Sequence, residues 1–175
     1  SVVFIAMADK LMIMRLGEEA FKGASTVSLI AMIPILLSLG CSSILSSVTA
    51  NGYARKNYQE ASDMLYGLWM LCGVIAITFG LIVMLGSHLL LRNVPPHILA
   101  KVRGFYWTIC LSALFDVMSS PLRRYMEGLG WFKFNMVASI LCGLMNIVLN
   151  YVFIYGWGII PALSVLGAGV ATLMV

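Results

Sequence analysis

Two amide side chains interrupt the apolar run LMNIVLNYVFIYG, residues 144–156: Asn146 and Asn150, four positions apart. In an α-helix this spacing places both amides on one face, about one turn apart. Oxygen atoms are the ligands that hard cations prefer, so amide oxygens can bind Na⁺, and amides can also hold the carboxylate of a proton relay. Asparagines equally join membrane helices through structural hydrogen bonds. The spacing therefore predicts an ion site or an interhelical contact and leaves both open.

Three ionisable side chains lie inside apolar segments, where a charge is costly unless it faces protein or water. Asp9 and Lys10 are adjacent, and the alternative for them is a helix end near the lipid headgroups, with Lys10 extended toward water. Asp116 lies in the middle of its run, between CLSALF and VMSS. Polar residues recur every three or four positions around it, at Thr108, Ser112, Asp116 and Ser119. Such a stripe on a spanning helix is predicted to line a cavity or a helix contact.

A second polar stripe runs through residues 134–155. Its members step by four, three, four and four positions, at Asn135, Ser139, Cys142, Asn146 and Asn150. The stripe occupies a sector of about 80° on a helix, so Ser139 is a further candidate for lining the cavity. Because an unsatisfied polar group in hydrocarbon is expensive, inward orientation is predicted for Asn146, Asn150, Ser112 and Asp116.

The composition is that of a membrane protein. Of 175 residues, 61% are hydrophobic and 10% are charged, and the mean hydropathy is +0.98, whereas soluble domains carry about 25% charged residues. Three runs contain no Asp, Glu, Lys or Arg: Gly23 to Ala54, Met64 to Leu91, and Phe134 to the end. A helix needs about 20 apolar residues to cross roughly 30 Å of hydrocarbon. The last run is therefore predicted to hold two helices, separated at GWGIIP, residues 156–161.

These runs predict an all-α membrane protein, a six-helix transmembrane bundle. The helices are expected at about 1–14, 24–50, 64–91, 104–125, 134–155 and 164–175. Loops are predicted at the polar stretches 51–63, 91–104 and 123–133. Both ends of the sequence are apolar, and we expect a fragment truncated inside helices at each end. Within 24–50, a four-residue spacing typical of close helix contacts relates Ser38, Ser42 and Ser46.

The charged and reactive residues exclude several classes of function. The net charge of +4 is interpreted as basic residues in short loops, and no nucleic-acid partner is expected. Lys and Arg do not orient the bundle, because five of them fall on the loops of each side. The four cysteines stand alone in apolar runs, without the spacing of metal ligands. No HExxH, GxSxG or paired-carboxylate motif is present, so neither an enzyme nor a cofactor is predicted.

Four segments together resemble the multidrug and toxic compound extrusion (MATE) family. MADKLMIMRLG (7–17) is similar to the first-helix segment of the family, in which an Asp precedes a few apolar residues and a loop Gly. The later segments occur in the order of the family and are NGYARKNYQEA (51–61), PLRRYMEGLG (121–130), and NIVLNYVFIYG followed by PALSVLGAGVAT (146–156 and 161–172). The resemblance covers nearly the whole chain.

The resemblance implies twelve helices in two lobes, with residues 1–175 as most of the amino-terminal lobe and the carboxyl-terminal lobe outside this chain. It implies a multi-pass protein of the plasma membrane, or of the cytoplasmic membrane in a bacterium, surrounded by lipid. Such proteins exchange small cationic or amphipathic drugs and metabolites for Na⁺ or H⁺. The ion-coupling residues of the family fall on Asp9, Asn146, Asn150, Thr172 and Tyr106, and a Na⁺ ion would be held by Asp9, Asn146 and Asn150.

Three positions depart from the family pattern. Some members carry Asp where Asn150 stands, and losing that charge weakens a Na⁺ site confined to this lobe. Lys10 beside Asp9 is unusual, and so is Asp116 inside a span; an ammonium facing the Asp9 carboxylate would disfavour proton carriage. Two other functions stay open. A flippase of lipid-linked sugars from the same superfamily should have a more basic cavity than Lys10 provides, and the third alternative is a non-transporting membrane scaffold.

Overall fold

The computed structural model describes residues 14, 18–91, 96–156 and 165–175. Within these ranges it contains no strand and five α-helices, namely α1 (Glu18–Ala54), α2 (Tyr58–Leu91), α3 (Pro96–Gly128), α4 (Phe132–Tyr155) and α5 (Val165–Met174). The predicted all-α class is confirmed. The first of the six predicted helices lies outside the described residues, except for Met14, which is helical.

Among the described residues, three helical segments are long and apolar enough to cross a membrane: Phe21–Ala54, Tyr58–Ser87 and Phe132–Tyr155. Large apolar side chains cover their outward surfaces; Ile33 is 66% exposed and Met70 is 74% exposed. Such surfaces would promote aggregation in water, whereas in a bilayer they contact lipid tails. α3 is of similar length but more polar, because it contains Asp116, several hydroxyl side chains and further charged residues toward both ends. The chain is therefore part of a membrane protein.

The helices extend beyond the apolar runs from which they were predicted. α1 continues to Ala54, α2 begins at Tyr58, and α3 reaches Gly128. α3 also begins at Pro96, so the prediction of loops over 51–63, 91–104 and 123–133 was wrong for most of their residues. α1 has 37 residues and α3 has 33, which makes them about 50–55 Å long, whereas the hydrocarbon is roughly 30 Å thick. Part of each helix extends past the hydrocarbon, so polar residues can continue it there.

A three-residue turn, 55–57, joins α1 to α2. The N–H of Asn57 donates to Gly52 O at 2.8 Å, and the N–H of Lys56 donates to Tyr53 O at 3.1 Å. This pair of bonds is the Schellman motif, which satisfies the last carbonyls of a helix and needs one residue in the left-handed conformation. Lys56 holds that position with φ of 58°. A lysine side chain disfavours this backbone conformation, whereas glycine does not.

We expect Lys56→Gly to stabilise the protein by about 0.5–1 kcal/mol, because glycine removes the steric cost of the left-handed backbone. Arg55→Gly is the matched control: it places glycine one residue earlier, where φ is not positive, and should destabilise by up to about 1 kcal/mol. The measurement is the apparent melting temperature of both variants of the complete protein in detergent. A lower melting temperature for Lys56→Gly than for the wild type would contradict the assigned turn.

The turn between α3 and α4 repeats this hydrogen-bond pattern with glycine. The N–H of Trp131 donates to Met126 O at 3.0 Å, and the N–H of Gly130 donates to Glu127 O at 3.0 Å. Gly130 has φ of 84°, which glycine adopts without a steric penalty. The turn therefore ends α3 and lets α4 begin after the three residues 129–131.

The chain divides into two compact units. The first unit combines Ser1–Ala31, Val83–Ser112 and Ser139–Val175, and the second combines Met32–Ile82 and Ala113–Ala138. The two asparagines of α4 belong to the first unit, whereas Asp116 belongs to the second.

Small residues bring helices together within the second unit. Ser38 and Ser42 are fully buried, in agreement with the helix contact that their four-residue spacing predicted. Gly128 of α3 lies so close to α1 that a Cβ atom there would stand 2.6 Å from Ser46 O and 2.6 Å from Thr49 Cβ. No side chain fits at this position, and the close approach fixes the end of α3 against α1.

Candidate functional site

One face of α4 is buried in the first unit. Its buried residues are Gly143, Asn146, Asn150 and Ile154. The exposed fraction is 2% for Asn146 and 0% for Asn150, whereas the apolar neighbours Leu144 and Met145 are 57% and 56% exposed. The amides point into the protein and the apolar side chains point outward. This orientation is expected because a polar group exposed to hydrocarbon is costly in free energy.

The two amides are bonded to each other. Asn150 Nδ2 donates to Asn146 Oδ1 at 2.8 Å, and the bond is buried. The bond fixes the orientation of both amide groups, and losing its donor would leave a buried acceptor unsatisfied at a cost of about 1–3 kcal/mol. The pair therefore acts as one structural element rather than as two separate polar residues.

Tyr106 of α3 is fully buried, and its hydroxyl donates to Val83 O of α2 at 2.7 Å. The bond joins two helices and holds the phenol ring in one position. A phenol that donates one hydrogen bond can still accept another through its oxygen. Sequence reasoning could not have found this contact, because the acceptor is a backbone carbonyl 23 residues away and no residue type marks it.

The other predicted coupling residues divide into described and undescribed positions. Thr172 of α5 is partly buried, and its hydroxyl donates to Ala168 O at 2.9 Å within its own helix. Asp9 and Lys10 lie outside the described residues. The described candidates that belong to the first unit are Tyr106, Asn146, Asn150 and Thr172. The structure thus joins the two asparagines directly and bonds the two hydroxyls to backbone carbonyls.

Glycines hold α5 against its neighbours in the first unit. A Cβ atom at Gly167 would collide with Phe153 O and stand 3.0 Å from Ile154 N, both in the backbone of α4. A Cβ atom at Gly169 would collide with the Thr108 hydroxyl of α3. Small residues at helix contacts let backbones approach closely, and the glycines of LGAGVAT, residues 166–172, are the sequence signal that could have predicted this contact. Gly167 therefore packs on the α4 backbone about one turn after Asn150.

Asp116 forms an ion pair within α3, in the second unit. Arg123 Nη2 lies 2.5 Å from Asp116 Oδ1, and the side chains are 48% and 46% exposed, respectively. The pair was not predicted from the sequence, because Arg123 was counted among the charges of the loop predicted at 123–133, although the helix predicted at 104–125 also includes it. A spacing of seven residues on one continuous helix was the signal that could have revealed it.

Ser112 and Ser139, the remaining candidates for lining a cavity, are partly buried in the first unit. Ser112 Oγ donates to Ile109 O at 3.0 Å within α3. Cys142, which the spacing placed in the same stripe as the amides, is exposed. The buried sector of α4 is therefore rotated away from the predicted stripe, and Gly143 belongs to it instead.

Comparison with known proteins identifies the family to which these features belong. The sequence profile of the MatE family matches residues 1–152. The chain belongs to the MatE family. This match confirms the resemblance of the four segments to the multidrug and toxic compound extrusion proteins. Members of the family are membrane transporters rather than enzymes.

Two relatives are named multidrug resistance protein MdtK. The relative from Yersinia enterocolitica is 35% identical over 124 residues, which cover 70% of this chain and 27% of the relative. The relative from Photorhabdus laumondii is 35% identical over 143 residues, which cover 79% of this chain and 31% of the relative. This chain therefore spans less than a third of the length of these relatives.

A solved structure described as a crystal structure of MATE in the straight conformation matches this chain with a TM-score of 0.82. The two proteins share 22% sequence identity, and the match covers 98% of this chain and 38% of the other. At this identity the likeness establishes the fold alone. The fold of this chain is thus that of part of a MATE transporter.

Proposed function

We propose that the complete protein is an ion-coupled exporter of small cationic or amphipathic compounds, with residues 1–175 as most of its amino-terminal lobe. Membership of the MatE family and the name of the MdtK relatives support multidrug export. The buried hydrogen bond between Asn146 and Asn150 is the main structural support for a coupling site at these two residues. Two oriented amides inside a membrane bundle supply N–H donors for a carboxylate and oxygen ligands for a cation.

Asp9 is the switch in the proposed cycle. A carboxylate inside the membrane is costly as an anion and much less costly once a proton or Na⁺ neutralises it. In the proposal, Asn146 and Asn150 orient the Asp9 carboxylate, and Tyr106 and Thr172 complete the ring of polar groups around it. Neutralisation then lets the lobe rearrange without moving an unpaired charge through hydrocarbon.

Competition between the ion and the cargo couples the two movements. If a cationic compound and the coupling ion require the same anionic state of the site, each lowers the affinity of the protein for the other by the same factor. Arrival of Na⁺ or H⁺ from outside therefore releases the cargo, and departure of the ion inside restores the state that binds cargo. An ion gradient can drive export in this way without any covalent chemistry.

Transport by the purified complete protein in liposomes tests the proposal. We expect ethidium to move against its own gradient when a Na⁺ or an H⁺ gradient is imposed, and to equilibrate passively when neither is present. Imposing the two gradients in separate experiments identifies the coupling ion. Failure to move ethidium under both gradients, together with movement of a lipid-linked sugar, would reject export and favour the flippase.

A further inference from the structure

The Asp116–Arg123 pair is organised along one face of α3 in the second unit. Arg123 Nη2 donates to Asp116 Oδ1 at 2.5 Å and to Ser119 Oγ at 2.6 Å. Ser119 Oγ donates in turn to Asp116 O at 3.0 Å. From α4, Asn135 Nδ2 donates to Arg123 O at 2.9 Å. The charged groups are therefore ordered against each other, although about half of each side chain is exposed: 46% for the acid and 48% for the arginine.

Asp116 lies within the hydrocarbon wherever α3 crosses it completely. α3 has 33 residues and is about 50 Å long, with Asp116 about 30 Å from its first residue and about 18 Å from its last. A hydrocarbon layer of roughly 30 Å that lies wholly along α3 therefore contains this position or ends at it. A half-exposed charged pair that faces lipid tails is strongly unfavourable. The exposed side of the pair therefore faces water or protein.

The ordered ion pair can nevertheless be broken at a small cost in free energy. Pairs that are half exposed contribute little to stability, because water screens the attraction and two flexible side chains lose entropy. If the carboxylate takes another partner, the guanidinium keeps its bond to Ser119 Oγ. The long stem of Arg123 also lets the guanidinium extend toward the headgroups. A dissolved cation can therefore compete with Arg123 for Asp116.

We infer that Asp116 is a binding residue for a lipophilic organic cation, which displaces Arg123 from the carboxylate. Phe115 and Leu122, each next to one member of the pair, are 64% and 47% exposed. They are seven residues apart, so an apolar line runs along α3 beside the charged one. A ligand with one positive charge on an apolar body matches both lines. The inference rests on the proposed export of cations and gives that export a second acidic contact.

Binding of tetraphenylphosphonium to the purified complete protein tests the inference, because this cation has one charge, an apolar body and no hydrogen-bond donor. We expect Asp116→Asn to weaken binding by about three- to tenfold, because it removes the opposite charge. We expect Arg123→Gln to strengthen binding by about two- to fivefold, because it removes the competitor for the carboxylate. If the pair only supported the fold, both variants would bind tetraphenylphosphonium less tightly than the wild type. Opposite changes in affinity in the two variants therefore distinguish a binding role from a structural one.

Arg124→Gln is the matched control. Arg124 also lies in α3, and its Nη1 donates to Glu127 Oε2 at 2.8 Å, so the change removes the same charge without touching Asp116. Affinity for tetraphenylphosphonium should stay within about twofold of the wild type, because Arg124 pairs with Glu127 rather than with Asp116. Equal strengthening by Arg124→Gln and Arg123→Gln would overturn the inference, as would weakening by Arg123→Gln. Asp116→Glu keeps the charge and should retain binding, which provides a second acid variant if Asp116→Asn does not fold.

Export and this binding site can fail separately. If the wild type transports ethidium under an ion gradient and Asp116→Asn binds tetraphenylphosphonium as the wild type does, export stands and the Asp116 site is excluded. If the wild type transports no cation under either gradient, the export proposal fails. The binding measurement then still decides whether Asp116 takes a cation.

Discussion

Replacing Asp9 with asparagine is expected to abolish ion-driven efflux by the complete protein while leaving its insertion into the membrane intact. The resemblance to the family makes Asp9 the carboxylate that takes the coupling ion. Asparagine has nearly the same shape, but it neither carries a negative charge nor binds a proton reversibly. The ethidium efflux rate in liposomes under an imposed Na⁺ or H⁺ gradient should therefore fall to the rate of liposomes without protein.

Asn150→Ala is the comparison for this experiment, because it changes a neutral partner of the proposed switch. It removes the donor to Asn146 Oδ1 and leaves a buried acceptor unsatisfied, at a cost of about 1–3 kcal/mol of stability. Coupled efflux should be reduced but still measurable, since the charge on Asp9 remains. If Asp9→Asn transports at the wild-type rate, Asp9 is structural, and Asp116 becomes the candidate for the coupling carboxylate.

The burial of the amide pair could be predicted because it depends on local geometry. Four residues rotate a helix by about 400°, so Asn146 and Asn150 share a face in any α-helix. The centre of that face could not be predicted. The buried set ends at Ile154, and its middle lies about 80° from Cys142, which is exposed. Packing against neighbouring helices sets this centre, and polarity along one segment carries no information about those neighbours.

The extent of α3 shows where composition misleads. A loop was predicted at 123–133, overlapping the end of the helix predicted at 104–125, but the helix continues to Gly128. Beyond the hydrocarbon, charged residues are compatible with a continuing helix. The hydrogen bonds around Gly130 determine where α3 ends. Because Arg123 was counted among the charges of the predicted loop, Asp116 had no visible partner. The overlap between the predicted helix and the predicted loop at 123–125 thus concealed the partner of Asp116.

The fit of α5 against α4 gives the second large expected effect. Gly167→Ala should destabilise the complete protein by about 1–3 kcal/mol, the usual cost of overpacking. The added Cβ would meet Phe153 O and stand 2.6 Å from Phe153 C, and backbone atoms of a helix cannot rotate away as a side chain can. α5 must therefore move away from α4 beside the turn that carries Asn150. The apparent melting temperature in detergent and the ethidium efflux rate should both fall.

The same substitution at two other glycines provides the controls for Gly167→Ala. Gly80 of α2 has no atom within 4 Å of its Cβ position, so Gly80→Ala should be neutral or stabilising by up to about 1 kcal/mol through helix propensity. Gly169→Ala should fall between the two, because its main obstacle is the Thr108 hydroxyl, a side-chain group that can move at a cost. The expected order of melting temperatures is Gly80→Ala highest, then Gly169→Ala, then Gly167→Ala. A Gly167→Ala protein as stable as Gly80→Ala would mean that α5 does not pack on the α4 backbone at Phe153.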